Sequence, residues 1–115
     1  HGAHKMASHF KSKPYRNKRH LMNVAQLDCQ HCGASGPSDA AHSNWSHHGK
    51  SFGRKADDIY VAALCREHHY EIDQGSNLTK SERQDLWNAA FIKTVRELVR
   101  LGQWPSDVEI PEEAN

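Results

Sequence analysis

Long hydrophobic runs are missing from this 115-residue chain, in which 37% of the residues are hydrophobic and the mean hydropathy is −0.87. No stretch approaches the roughly 20 consecutive apolar residues that a membrane-spanning helix needs. The apolar segment of a secretory signal peptide is also missing, so we expect a protein without a membrane partner. The low apolar content predicts one domain with a thin hydrophobic core.

Cysteine is scarce as well, with three residues in the whole chain. An odd number argues against a disulfide framework, and the expected location is a reducing cytoplasm. The cysteines fall into two pairs of metal-binding residues with equal spacing, Cys29-x-x-Cys32 and Cys65-x-x-His68. Such pairs are typical of a structural Zn²⁺ held by three thiolates and one imidazole. A bound zinc would compensate for part of the thin core.

The zinc prediction leaves alternatives open. Free cysteines often serve as small buried hydrophobic residues. His31 lies inside the first pair and competes as a ligand, and spacing alone does not decide between His68 and His69. The choice of His68 leaves His69 free for another role.

Charge is distributed unevenly, although the formal net charge is only +1. Residues 1–56 carry nine Lys or Arg against two carboxylates, a net +7, and residues 57–115 carry six against twelve, a net −6. A basic half predicts a polyanionic partner, for which we expect DNA, and the alternative is a solvated basic tail. The candidate phosphate-binding cations are Arg16, Lys18, Arg19, Lys50, Arg54 and Lys55.

Local patterns predict an α+β domain with an N-terminal helix and a long C-terminal helix. The predicted elements are a helix over 16–27, a turn over 29–36, strands over 38–44 and 59–64, a helix over 66–73, and a capped helix from Thr79 to Gly102. Residues 1–15 are interpreted as an expression-tag remnant followed by a basic arm, which discounts His1 and His4 as ligands. Residues 16–105 form the predicted domain, and residues 106–115 form a loose acidic tail.

Three further residues indicate a second, open metal site. His42 ends the first predicted strand, His69 follows the second ligand pair, and Asp73 lies one helical turn beyond His69. A neutral imidazole can take a proton from water, and a divalent ion on His and carboxylate ligands can act on a phosphodiester as a Lewis acid. The pattern favours hydrolysis with Mg²⁺ or Mn²⁺, with Zn²⁺ or Ni²⁺ as alternatives. The plainer interpretation is a packed histidine and a surface pair.

These residues together resemble the HNH endonucleases in their zinc-bearing ββα-metal form, the treble clef. The matching positions are the Cys29–Cys32 pair, Ala41-His42, Asp58 and the run Cys65–His69. The runs 17–21, 28–33, 39–42 and 64–69 are more narrowly similar to phage and prophage recombination-enhancement (Ref-like) nucleases. The resemblance covers roughly residues 15–75.

The resemblance implies a role for each matching residue. His42 would be the general base, His69 a ligand of the catalytic ion, and Asp73 a second helical ligand. Asp58 stands where the family carries an Asn that holds the catalytic His, and Ala41 stands where many members carry another metal ligand. The implied protein is a metal-dependent DNA endonuclease, monomeric or weakly dimeric, with a recombination protein as a further candidate partner. The alternative is a non-catalytic zinc-stabilised module that binds DNA or protein.

Overall fold

The computed structural model describes residues 13–45 and 55–115. Their elements, in chain order, are helix α1 (Lys18–Ala25), strand β1 (Asp39–His42), strand β2 (Val61–Leu64), helix α2 (Arg66–Gln74), helix α3 (Lys80–Arg100) and a 3-10 helix (Glu112–Ala114). The α+β prediction is confirmed, because three α-helices surround a two-stranded antiparallel sheet in the described part of the chain. The ββα-metal assignment stays a prediction. Lys50 and Arg54 lie outside the described residues.

The hairpin of β1 and β2 has two faces with different partners. Asp39 pairs with Leu64 and His42 pairs with Val61, and successive side chains point to opposite faces. On one face, which we name the α2 face, the buried residues pack with α2 and α3: Ala41, Ala62, Leu64, Ile72 and Trp87. On the opposite face, the α1 face, they pack with α1 and the end of α3: Val24, Leu27, Val61, Ala63 and Leu98. Asp39 therefore belongs to the α2 face and His42 to the α1 face.

Helix α3 begins and ends where its sequence indicates. The Thr79 hydroxyl accepts from the Glu82 amide at 3.1 Å, and the Glu82 carboxylate accepts from the Thr79 amide at 2.8 Å, so the predicted capping box forms. The Trp87 indole donates to the Ala41 carbonyl at 2.9 Å, which fastens the helix to β1.

None of the helices in residues 13–45 and 55–115 is long and apolar enough to cross a membrane.

The acidic tail is mostly exposed, but it makes specific contacts with the domain and is therefore not the loose segment expected from Ser106 onward. The Trp104 indole donates to the Val108 carbonyl at 2.9 Å, and the Arg96 guanidinium donates to the Ala114 carbonyl at 3.3 Å. The Ala114 side chain is 8% exposed and belongs to the core cluster on the α2 face. Backbone carbonyls and one small apolar side chain hold this tail, and these are features that charge composition does not display.

His20 lies buried in α1 without a hydrogen-bond partner for either ring nitrogen among the described residues. Its side chain is 1% exposed and packs edge-on against Trp104, with the ring centroids 5.4 Å apart. Burial lowers the pKa of His20 to about 4, although the negative charge of Asp58 opposes the shift. The imidazole is therefore neutral in the folded protein at neutral pH.

This neutral histidine predicts a loss of stability in mild acid. The unfolded chain takes up the proton near pH 6.5 and the folded chain only near pH 4, so the free energy of unfolding falls as pH drops between these values. We expect His20 to contribute about 2 kcal/mol of the loss between pH 7 and pH 5. Denaturant unfolding of the parent and of His20→Leu at both pH values, with zinc in excess, measures the difference. An equal pH-dependent loss in both proteins would contradict the assignment.

Candidate functional site

Four potential metal ligands come together at the junction of the first turn, β2 and α2. The ligand atoms of Cys29, Cys32, Cys65 and His68 all lie within 4.8 Å of one another. The Sγ atoms of Cys32 and Cys65 are 3.9 Å apart, and His68 Nδ1 lies 3.2 Å from Cys65 Sγ. Two sulfurs of a tetrahedral zinc site with Zn–S bonds near 2.3 Å are separated by roughly 3.8 Å. The four residues could therefore bind a metal such as zinc with little movement.

Local backbone geometry places the first two ligands. The amides of His31 and Cys32 both point at Cys29 Sγ, at 3.4 Å each. Gly33 closes this turn at a φ of 80°, a backbone conformation that suits glycine. The Gln30 amide donates to the Ala63 carbonyl at 2.9 Å and so fixes the turn to β2. A metal bound here would fasten the turn after α1 to the start of α2.

The thiols differ in how readily they lose a proton. Burial raises the pKa of Cys29, but backbone hydrogen bonds, including those from Cys32 and His31, outweigh it and lower the pKa to about 6. Burial raises the pKa of Cys65, and the neighbouring sulfurs of Cys32 and Cys29 raise it further. Several thiolates in one cluster repel one another, so the full ligand set favours a bound cation.

The structure distinguishes His68 from His31 and His69, the two alternative candidates for the fourth ligand. The His31 ring packs edge-on against the His68 ring at 4.5 Å and lies outside the group of converging ligand atoms. His69 turns its two ring nitrogens toward carboxylates instead. The geometry thus favours His68 as the fourth ligand, a choice that spacing left open.

His42 contacts the buried carboxylate of Asp58. His42 Nε2 lies 2.8 Å from Asp58 Oδ1. Asp58 is 3% exposed and also accepts from the Asn17 amide at 2.8 Å and the Arg16 guanidinium at 3.3 Å. Burial alone would raise the pKa of Asp58, but the hydrogen bonds from His42 and Asn17 and the charge of Arg16 hold it below its usual value. A charged carboxylate thus fixes the His42 ring, and an Nε2–H donated to it leaves Nδ1 as a proton acceptor.

His69 lies between two carboxylates on the α2 face. His69 Nδ1 is 2.9 Å from Asp39 Oδ2, and His69 Nε2 is 3.2 Å from Asp73 Oδ2. The hydrogen bond to Asp73 raises the pKa of His69, burial opposes the shift, and the bond to Asp39 adds to it. Asn44 donates to the other oxygen of Asp73 at 2.9 Å, and Arg66 donates to Asp39 at 3.0 Å. The predicted pair of His69 and Asp73 is therefore brought together.

Asp39 is the site residue that sequence reasoning did not assign. The resemblance places a further ligand at position 41, next to His42, but Ala41 is fully buried there and offers none. Asp39 lies two residues before Ala41 and shares its face of the strand, which brings its carboxylate to the His69 ring. The period-two pattern of a strand was the signal that could have identified it.

His42 and His69 approach the end of β1 from different faces of the hairpin, and their action on one bound cation stays a prediction. His42 belongs to the α1 face of the hairpin, whereas Asp39 and His69 meet on the α2 face. Within residues 13–45 and 55–115, the zinc-type set is the one group of three or more possible ligands whose atoms lie within 4.8 Å. Successive side chains of β1 point to opposite faces of the hairpin, which is why Asp39 and His42 lie on different faces.

The predicted phosphate-binding cations differ in whether they already have hydrogen-bond partners within the chain. Arg16 donates to the Ala56 carbonyl at 2.8 Å and to Asp58, so its guanidinium already has partners within the chain. Lys18, Arg19 and Lys55 are exposed. A contact of any of these cations with DNA stays a prediction.

Comparison of the chain with family models, with curated proteins and with solved structures gave no match.

Proposed function

We propose that this protein is a metal-dependent DNA endonuclease in which His42 acts as the general base. The observation that carries the proposal is the contact of His42 with the buried, charged Asp58. A histidine on a strand is often ordinary packing, but an imidazole oriented by a carboxylate is suited to accept a proton from water. The remaining 18% exposure of the His42 side chain leaves the ring accessible to that water.

His69 and Asp73 are the proposed ligands of the catalytic ion. In this arrangement Asp39 accepts from His69 Nδ1 and orients the ring, as carboxylates do behind metal-binding histidines. Asn44 holds Asp73 through its second oxygen. A bound divalent ion would neutralise charge on the phosphoryl group and assist the leaving oxygen.

The segment from His42 to Asn44 connects the two faces. His42 is the last residue of β1, and Asn44, two residues later, already contacts Asp73. Two residues of extended chain span roughly 7 Å at most. A phosphate placed beyond the end of β1 is therefore within reach of His42 from one face and of the His69–Asp73 pair from the other.

A plasmid-nicking assay across divalent ions, paired with elemental analysis, tests the proposal. We expect relaxed circles in Mg²⁺ or Mn²⁺ and intact supercoils without added ion, in protein that already contains zinc. Asp73→Asn keeps the size of the side chain but removes its charge, and we expect it to lose nicking at ion concentrations that support the parent. Asp107→Asn, in the exposed tail, is the matched control. Zinc-loaded parent that nicks with none of Mg²⁺, Mn²⁺, Ni²⁺ and Zn²⁺ would contradict the proposal.

A second candidate is a non-catalytic zinc-stabilised module that binds DNA or a protein. It is favoured by the pairing of both ring nitrogens of His69 with carboxylates, which is also how a simple ion-pair cluster is built. This candidate requires one metal per chain and salt-sensitive binding without cleavage. Two metals per chain with nicking would exclude it.

A further inference from the structure

We propose that the cavity between the end of β1 and the start of α3 binds a phosphate of the DNA strand, with Lys80 and Arg83 as its cationic contacts. The inference rests on the proposed function and names the substrate-binding residues of the same site. The cavity has a volume of about 460 Å³ and is lined by Asn44, Trp45, Asp73, Lys80 and Arg83, among others. This volume lies within the range of ~300–1,000 Å³ that is typical of ligand pockets.

The charges around the cavity are arranged for a phosphate beside a metal ion. Asp73 lines the cavity and at the same time lies 3.2 Å from His69, so the cavity reaches one proposed ion ligand and adjoins the other. Lys80 and Arg83 come from the first turn of α3. Ammonium and guanidinium groups are the usual partners of phosphate oxygens, and a carboxylate next to them would repel an anion unless a cation lay between.

Arg83 differs from other arginines of the described chain. Its Nε is buried and has no hydrogen-bond partner among the described residues. By contrast, the Nε atoms of Arg66 and Arg96 donate to Asp39 and to the Ala114 carbonyl. A buried donor on a charged group is costly when unpaired. Nε is closed to solvent in this structure, so a phosphate in the cavity would bind the Arg83 guanidinium after a small rotation of the side chain.

The N-terminus of α3 does not by itself explain the cavity. The Thr79 hydroxyl and the Glu82 carboxylate already take amides of the first turn through the capping box. The anion would therefore bind to the side chains of Lys80 and Arg83. This distinguishes the proposal from generic anion binding by a helix end.

Trp45 offers an aromatic surface on which the nucleoside next to the phosphate could stack. Its ring is half-buried, packs against Trp87 with centroids 5.5 Å apart, and lines the same cavity. Flat aromatic surfaces next to cationic groups are common in sites that follow a single nucleic acid strand. The occupant is accordingly a DNA strand, and free phosphate would fill only part of the space.

Fluorescence anisotropy with a short labelled single-stranded DNA oligonucleotide tests the cavity. Binding is measured in the His42→Ala background, with and without Mg²⁺, so that cleavage does not interfere. We expect Lys80→Ala and Arg83→Ala each to weaken binding about 3- to 10-fold, and the slope of log affinity against log salt to fall by about 0.7 for each lost contact. Arg83→Lys should retain part of the affinity.

Arg100→Ala is the matched control, because Arg100 lies at the other end of the same helix and pairs with Glu97. It should leave DNA affinity within about twofold of the background, since it removes a charge far from the cavity. Equal affinities for the Lys80→Ala, Arg83→Ala and control proteins, all folded by circular dichroism, would overturn the inference. So would a lack of DNA binding in the parent. If the parent never nicks DNA but the cavity variants lose DNA binding, the result would support the phosphate-binding cavity and contradict the endonuclease proposal.

Discussion

Cys65→Ser is expected to lose the bound zinc and most of the folded population at physiological temperature. Structural zinc contributes on the order of 10–16 kcal/mol of apparent binding free energy, which matches or exceeds the ~5–15 kcal/mol of net stability typical of a domain. Cys65 lies between the Cys32 sulfur at 3.9 Å and His68 Nδ1 at 3.2 Å, so its loss opens the centre of the cluster. Elemental analysis of zinc per chain and thermal unfolding by circular dichroism measure the two effects.

His31→Gln is the control for this experiment. The His31 ring packs against the His68 ring at 4.5 Å but lies outside the converging ligand set, so the variant should keep one zinc and nearly the parent melting temperature. Loss of zinc in His31→Gln would show that the wrong imidazole had been assigned. A Cys65→Ser protein with unchanged zinc content and melting temperature would show that the cluster does not hold the metal.

His42→Ala is expected to reduce plasmid nicking by about 10²- to 10⁴-fold while the protein stays folded, because this is the usual contribution of a general base. The fold should survive because Asp58 keeps its hydrogen bonds from the Asn17 amide and the Arg16 guanidinium when the imidazole is removed. Zinc content and melting temperature report the fold, and the initial rate of nicking in Mg²⁺ or Mn²⁺ reports activity.

Asp58→Asn separates orientation from proton transfer. The amide is similar in size but carries no charge, so the His42 ring loses its charged partner while the imidazole itself remains. We expect a smaller loss of nicking than in His42→Ala. If His42→Ala cuts as fast as the parent, His42 is a packing residue and the proposed mechanism is wrong.

The local elements were predictable because their signals are local. The Thr79–Glu82 capping box sets the start of α3, and the predicted helix over 66–73 is observed as Arg66–Gln74. The predicted strand over 59–64 is shorter in the structure, Val61–Leu64, because pairing with the four residues of β1 limits its length. Such signals depend on a few neighbouring residues, and among these elements distant pairing changes only the length of the strand.

The sequence by itself predicted the two zinc-type pairs, because equal spacing lets each pair bind one ion from a tight turn. The choice of His68 as the fourth ligand came only from the structure. Tertiary structure alone placed Asp39 beside His69, and it brought Asp58, which the resemblance associates with His42, into contact with that ring. Asp58 reaches His42 across the α1 face and Asp39 reaches His69 across the α2 face, at sequence separations of 16 and 30 residues. The reason is that pairing across a hairpin depends on strand register and on which helix covers each face, and neither is encoded in the spacing of any single motif.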